Sequence, residues 1–464
     1  MSIRFRRLLF IIFIFAFLII ASFATLYAAG YKINFSWPLN LKQTFQKTGM
    51  FIFNSEPKGA IIKLNDKTQQ LFLKKYYSKN NSYIKTPAKI KNLSPGEYNV
   101  KIELDGFWPW QKKLTISPGQ STFAEDIYLF KKDIPMQIMD SKLKKNIPSP
   151  NNEYLGLIDE EKVLLLNLAN ETLITLPEIA TSAIAFSDIG RAEWSADSEK
   201  LLISTNNNQF FYYSLINNEL INLNNLTTSN IFNLKWSDNS EKIYYQENNL
   251  LKYLTLKNNK SQILIEEENL IDYLIKNNYL FYLSQINKNV KLKVYSLKTN
   301  EIIKEIDIPF SDNYKLINPK HKLINLYDEK HKLLYLIDPL SSINPLIEII
   351  TDINITYWLD DKRLLYANDF EIWILNLNYN SKTLLTRISE KIENIFWHPS
   401  NNYVIYSTKK AINIIELDER EKRNINELIK LDFISSPYLN LKGNSLYFYA
   451  KIGNQEGLYK LAIQ

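Results

Sequence analysis

Apolar and polar positions change rhythm twice along this chain. From Leu8 to Ala29 there are 22 residues without a charge, LLFIIFIFAFLIIASFATLYAA. As a helix, rising about 1.5 Å per residue, this run spans roughly 33 Å and matches a bilayer core about 30 Å thick. From Met50 the pattern turns to period two, with Tyr98, Val100, Ile102 and Leu104 on one side and Asn99, Lys101 and Glu103 on the other. That is the pattern of a half-buried strand. Ser94-Pro95-Gly96, Asp105-Gly106 and Ser117-Pro118-Gly119 supply turns between such strands. Upstream, Met50–Ser55 and Ala60–Leu64 flank Glu56-Pro57-Lys58-Gly59, and Asn65-Asp66 ends that hairpin. A small β-sandwich over 50–131 is the direct expectation.

Beyond residue 132 the pattern repeats. Trp194-Ser195-Ala196-Asp197-Ser198-Glu199-Lys200 returns as Trp236-Ser237-Asp238-Asn239-Ser240-Glu241-Lys242, then at Trp358-Leu359-Asp360-Asp361 and at Trp397-His398-Pro399-Ser400. Degenerate copies stand at Pro148–Tyr154, Asn318–Leu323 and Asn440–Leu446, and the weakest lies near Tyr273. Each copy precedes short apolar runs. Four short strands in about 41 residues make one blade of a β-propeller. Eight motif positions predict eight blades, or seven without the poor copy near Tyr273. The segment near 135–139 is expected to supply the outermost strand of the last blade. The fold class is therefore all-β: one N-terminal helix, a sandwich and a propeller.

Charge settles orientation and partners. Residues 1–50 hold Arg4, Arg6, Arg7, Lys32, Lys42 and Lys47 with no acid, which leaves 50 of the 56 basic residues against all 49 acidic ones in the other 414. The body thus lacks the concentrated basic field of a nucleic-acid binder. The three arginines before the helix predict a cytoplasmic tail over 1–7, a signal anchor over 8–29 in the cytoplasmic membrane and an extracytoplasmic body. The alternatives are a cleaved signal peptide, for which Ala28, Ala29 and Gly30 are small enough, and a buried helix of a soluble protein. Residues 30–49 form a juxtamembrane segment in which Tyr31 and Trp37 suit the interface. The absence of cysteine excludes disulfides, thiolate metal sites and a lipidated cysteine.

Two resemblances follow from these residues. Glu56-Pro57-Lys58-Gly59-Ala60, Ile62, Leu64, Asn65-Asp66, Thr86-Pro87, Leu93-Ser94-Pro95-Gly96-Glu97-Tyr98, Gly106-Phe107, Leu114-Thr115-Ile116 and Gly119 resemble the PEGA domain. The match departs at Lys58, which stands at the family's glutamate position, and at a longer basic stretch over 68–83. The resemblance implies a non-catalytic envelope module. The blades resemble the TolB-type, WD40-like repeat, whose Trp-Ser-Pro-Asp-Gly core is best matched at Trp194 and Trp236. For these tryptophans and for Trp358 and Trp397, packing between blades is the expectation.

Candidate chemistry is sparse. The three histidines, His321, His331 and His398, have no metal-ligand spacing, and Glu266-Glu267-Glu268 lacks the alternation of a calcium loop. No nucleophile elbow, phosphate loop or dinucleotide fingerprint occurs. The expectation is a non-catalytic scaffold or recognition protein without metal or cofactor, binding an envelope protein through propeller loops. The one candidate recognition patch is Trp108 and Trp110: Pro109 removes a ladder donor, so the stretch belongs at an edge or bulge. Exposed there, the rings would stack on a cell-wall sugar or a partner's loop; the alternative is packing against the large domain or the segment around Trp37. A propeller hydrolase would instead need carboxylates such as Asp238, Asp360 and Asp361 to converge in the channel.

Overall fold

The computed structural model describes residues 3–33, 45–70, 83–159, 163–176, 189–227, 230–317 and 322–464. Trp37, His321 and most of the basic stretch over 68–83 lie outside them. The chain divides into two compact units: Met1–Ile134 with Asn413–Leu428 and Ala462–Gln464, and Pro135–Ile412 with Ile429–Leu461.

The first unit opens with helix Ile3–Ala28, which starts five residues before the uncharged run because Arg4, Arg6 and Arg7 are good helix formers. Gly30 stops it. At φ +82° it takes the left-handed conformation of a helix C-cap, with its N–H on Tyr27 O at 3.0 Å. Strand Tyr31–Ile33 then pairs with Phe45–Lys47. Two sheets form the sandwich. Ala88–Leu93, Gly49–Glu56 and Ser121–Tyr128 make one; Lys67–Thr68, Ile61–Leu64, Gly96–Glu103 and Trp110–Ile116 make the other. Their facing side chains, Phe51, Phe53, Ile62, Val100, Ile102 and Leu114 among them, form one core.

The motif residues of the sandwich have architectural work. Asn65 and Asp66 both take positive φ (49° and 63°), as a tight two-residue hairpin turn requires, and Asn65 Oδ1 accepts the Asn99 N–H at 2.8 Å. Thr86 Oγ1 accepts the Ala60 N–H at 3.1 Å and shares a 2.6 Å hydrogen bond with Ser55 Oγ. Both hydroxyls are buried, so this link satisfies polar groups that water cannot reach.

Among the described residues eight four-stranded sheets follow, seven of them ordered strand by strand along the chain, over 143–175, 189–222, 232–266, 270–308, 314–350, 355–387 and 394–430, and an eighth built on 433–462. First strands touch first strands: Leu143–Pro148 meets both Ile189–Trp194 and Phe433–Leu439, and Asn394–Trp397 meets Ile355–Trp358 and Phe433–Leu439. They therefore line a common axis. Met136–Asp140 completes the last sheet by pairing with Gln455–Ala462, the expected closure.

The repeated turn is a latch between sheets. Ser195 Oγ accepts the Lys200 N–H at 2.9 Å and closes its own turn. Ser198 Oγ accepts the Asn151 N–H at 3.0 Å, and Ser240 Oγ accepts the Asp197 N–H at 3.1 Å, so each turn holds the one before it. Asn152, Ser198, Ser240, Asn401 and Gly443 share the left-handed conformation at this turn position. Trp194 and Trp236 are buried, and their indoles donate to Ile147 O (2.9 Å) and Glu193 O (3.1 Å) on the preceding first strands. The sheet around Tyr273 lacks this turn. Asn277 and Asn278, at φ 50° and 65°, make a two-residue hairpin there, which is why its sequence signature is faint.

Closure depends on Gly457, where an added Cβ would stand 2.1 Å from Met139 O. Gly457→Ala is expected to push the closing strand off and cost about 1–3 kcal/mol, the usual range for overpacking. Thermal unfolding of the purified chain, with hydrogen exchange over 136–140, checks this; unchanged melting and protection would contradict it.

Candidate functional site

Trp110 begins strand Trp110–Ile116, whose alternation turns Trp110, Lys112, Leu114 and Ile116 inward. Trp110 is 3% exposed, sits in the sandwich core and donates its indole N–H to Glu416 Oε1 at 2.8 Å. Trp108 is half-buried, with its backbone N–H on Phe130 O at 2.7 Å and the Lys132 ammonium 4.6 Å from its ring centroid. The exposed aromatic pair considered from sequence is thus corrected. Pro109 keeps the stretch out of the ladder, but the strand starting immediately after it carries Trp110 into the core.

The same strand buries a cation. Lys112 has a side-chain exposure of 0%; its ammonium lies 3.0 Å from Glu416 Oε2 and donates to Asp418 O at 2.6 Å. Glu416 also accepts from Asn424 Nδ2 at 2.8 Å, and Arg420 holds Asp418 while donating to Phe123 O at 2.8 Å. All these residues belong to the first unit. Burial opposes ionisation of Asp418, but hydrogen bonds from Arg420 and the charges of Lys112 and Arg420 outweigh it and hold the carboxyl below its usual value. Period two in Trp-Gln-Lys-Lys-Leu-Thr-Ile already places Lys112 on the core face, a signal that it needs a buried acid. The partner's position 304 residues away is not readable locally.

In the second unit the first strands frame two cavities. One, of about 700 Å³, is polar and crossed by a satisfied network. Asp272 Oδ1 accepts from Lys235 Nζ (2.6 Å), Asn233 Nδ2 (3.1 Å) and Tyr273 N (2.8 Å), and Oδ2 accepts from Leu316 N (2.7 Å). One carboxylate thereby ties three successive first strands together. Burial lowers the Lys235 pKa despite the pull of Asp272, and burial raises that of Tyr273, whose hydroxyl donates to Asn233 O at 2.5 Å. Nearby, Glu193 pairs with Arg191 at 2.6 Å and Asp312 with Lys330 at 3.0 Å. None of the carboxylates considered from sequence lines this cavity, although the charges of Asp238 and Asp361 both act on Lys276. Asp238 accepts the Asn277 N–H at 3.1 Å, and Asp360 holds the backbone and guanidinium of Arg363 within its own turn.

The other cavity, of about 570 Å³, lies where the repeated turns meet the first strands. Half of its lining is aromatic or prolyl, with Pro148, Pro150, Trp194, Tyr357, Phe396, Trp397, Pro399 and Tyr438 joined by aliphatic Leu441 and by the polar Ser149, Asn152, Glu193 and Asn440. Tyr357 and Phe396 meet edge to face at 6.4 Å, and Tyr438 is fixed by a 2.8 Å hydrogen bond to Asn152 Oδ1. Tyr357 and Leu441 remain exposed, at 39% and 66%. Such a concave apolar wall with few polar groups suits an apolar ligand segment.

His398 stands in the chain between two wall residues, Trp397 and Pro399. It is buried, with Nε2 3.0 Å from Gly443 O and Nδ1 2.9 Å from Ser400 Oγ. Donation to Gly443 O puts the proton on Nε2 and leaves Nδ1 to accept. Burial pushes its pKa down from 6.5 to about 4, against the Gly443 hydrogen bond, which raises it. His331 instead pairs with Asp328 at 2.8 Å in an ordinary turn.

The PEGA domain model matches residues 78–125. The Glu56–Asp66 segment, which carried part of the resemblance, falls outside that match; the hairpin expected there is corrected, because Gly49–Glu56 and Ile61–Leu64 stand in different sheets and face each other across the core. No curated protein matches the chain by sequence. Solved structures that it resembles include the C-terminal WD40 domain of Sif2, at 13% identity and a TM-score of 0.51, covering 72% of this chain and 99% of that one. The Dos1 propeller is similar at 13% identity and a TM-score of 0.50, covering 72% and 96%. Dipeptidyl peptidase 4 of Porphyromonas gingivalis is similar at 10% identity and a TM-score of 0.51, over 71% of this chain and 58% of that one. At such identities the likeness is one of fold.

Two outcomes are expected. Lys112→Ala leaves Glu416 charged and buried, and should destabilise the first unit by about 3–5 kcal/mol. Glu416→Gln, which keeps an acceptor for Trp110, should cost less; equal melting of both variants and the parent would contradict this. For His398, the unfolded chain takes up a proton near pH 6.5 while the folded chain resists until about pH 4. Its contribution is therefore complete above pH 6.5 and lost as pH falls towards 4, by about 3 kcal/mol in all. His398→Asn should flatten that part of the pH–stability curve. The chain carries a PEGA domain and a WD40-like β-propeller behind one N-terminal apolar helix long enough to cross a membrane.

Proposed function

We propose that this is a non-catalytic, membrane-anchored recognition protein of the cell envelope that binds a protein partner at the turn-side cavity of its propeller. The observation that carries this reading is the aromatic and prolyl wall of that cavity, with Tyr357 and Leu441 left exposed at its mouth. Rings held by packing and by the Tyr438–Asn152 hydrogen bond give contact area at little entropic cost. Apolar side chains or a prolyl segment of a partner fit such a wall. The carboxylates near the axis support a non-catalytic role, because Asp272 is spent on four donors and Glu193 and Asp312 on cations. Burial of Trp110 favours a protein partner over a wall sugar.

The N-terminal segment supports the placement. Helix Phe5–Ala28 is apolar and 0% buried, and Arg4, Arg6 and Arg7 stand at its start. In this reading the helix spans the cytoplasmic membrane, with residues 1–7 inside and the sandwich and propeller outside.

One experiment tests both parts. The chain has no cysteine, so Leu441→Cys creates a unique site for a membrane-impermeant, photoactivatable maleimide on intact, wall-stripped cells. Labelling from outside is expected, as is recurrent capture of one envelope protein that is lost when Tyr357→Ala is added. Labelling only after lysis overturns the topology. Labelling without capture, or capture indifferent to Tyr357, overturns the cavity as the recognition site.

A further inference from the structure

The sandwich is fastened to the end of the apolar helix with almost no slack. Gly30 O accepts both the Thr48 N–H at 2.7 Å and the Thr48 hydroxyl at 2.8 Å. Thr48 O in turn accepts the Gly119 N–H at 2.9 Å, in the Ser117–Gln120 turn. A further tie reaches back inside the helix: Asn92 Nδ2 donates to the Tyr27 hydroxyl at 2.7 Å. Asn92 can do so because it leaves the regular strand at φ 60°, where the pairing of Ala88–Leu93 with Gly49–Glu56 shifts register. Tyr27 lies in the last turn of a 24-residue apolar span, the level at which a tyrosine meets phospholipid headgroups. The sandwich end carrying Asn92, Thr48 and Gly119 is therefore held at that level too.

That end is cationic. Lys32, Lys47 and Lys91 are exposed, and none pairs with an acid among the described residues. Lys32 and Lys47 stand in successive pairs of the two-stranded ribbon Tyr31–Ile33/Phe45–Lys47, one on each face, and Lys91 directly precedes Asn92. Glu97, in the strand that follows Lys91 along the chain, already pairs with Lys113 at 3.2 Å. Away from the helix, Glu103 is shared by Lys63 and Lys101, so acid and base offset each other there, whereas the three lysines beside the helix have no such counter-charge among the described residues.

We propose that Lys32, Lys47 and Lys91 form a contact surface for anionic phospholipid headgroups, seating the sandwich directly on the bilayer that its helix enters. The chemistry recognised is a phosphodiester carrying net negative charge at the membrane surface, where each lysine adds attraction that salt weakens. The inference rests on the helix lying in a bilayer but not on which side the body faces.

The test uses the full chain in nanodiscs, so that incorporation itself reports whether the helix inserts. Ser94→Cys, in the turn after Asn92 and Leu93, is labelled with a fluorophore. Quenching is compared between phosphatidylglycerol and phosphatidylcholine that carry the same headgroup-level spin label at equal mole fraction. Several-fold stronger quenching by phosphatidylglycerol is expected, falling to parity in high salt and in the K32Q/K47Q/K91Q variant. Equal quenching by the two lipids, or a preference that survives the triple variant, overturns the proposal. Loss of the preference on adding inorganic phosphate at constant ionic strength also overturns it, in favour of a site for free phosphate.

Discussion

The propeller depends on one late pairing. Its second unit begins with Met136–Asp140, yet that strand has no partner until Gln455–Ala462 arrives more than 300 residues later. Only then is the last sheet complete and its first strand, Phe433–Leu439, set against Leu143–Pro148. Leu155, Leu157, Leu164 and Leu166 of the first sheet share a buried cluster with Tyr438, Tyr447, Tyr449 and Leu458 of the last, so closure removes two apolar sheet faces from water at once. Such a contact closes a very long loop, which makes it late in folding but thermodynamically tolerable, because closure entropy grows only with the logarithm of loop length.

The turn-side cavity inherits its shape from that closure. Its walls come from first strands and turns on both sides of the seam, with Pro148 and Trp194 on one side and Tyr438 and Leu441 on the other. The turns hold each other through Ser198, Ser240 and His398, each bonding backbone of a neighbouring turn. At positions where a left-handed residue is needed, serine accepts some backbone strain that glycine would avoid. In return its hydroxyl satisfies a neighbour's N–H. His398 extends the same logic with a longer side chain, reaching Gly443, where a Cβ would stand 2.8 Å from Nε2.

Much of this was legible because the relevant interactions are local. Period-two alternation identified the strands of the sandwich, Asn65-Asp66 its tight turn, and the recurring Trp-Ser-x-x-Ser the propeller sheets. Legibility failed where a local rule had two tertiary outcomes. Pro109 correctly marked a break in the ladder, but whether the tryptophan after it faced solvent or core depended on where the next strand began. The sheet around Tyr273 was faint because Asn277-Asn278 replaces a longer turn, which leaves hydrophobic alternation but no motif.

By itself the sequence determined the apolar helix, the all-β class, the sandwich and the repeated sheets, because each follows from contacts or periodicities within a few residues. Only the tertiary structure decided that Lys112 would be buried against Glu416 and Asp418, that Trp110 would donate to Glu416, and that Asp272 would tie three strands together. Those outcomes join residues tens to hundreds of positions apart, and burial rather than spacing selects the partner. A buried charge such as that of Lys112 needs a complement wherever the fold brings one within about 3 Å, and nothing in its own neighbourhood of sequence names that complement.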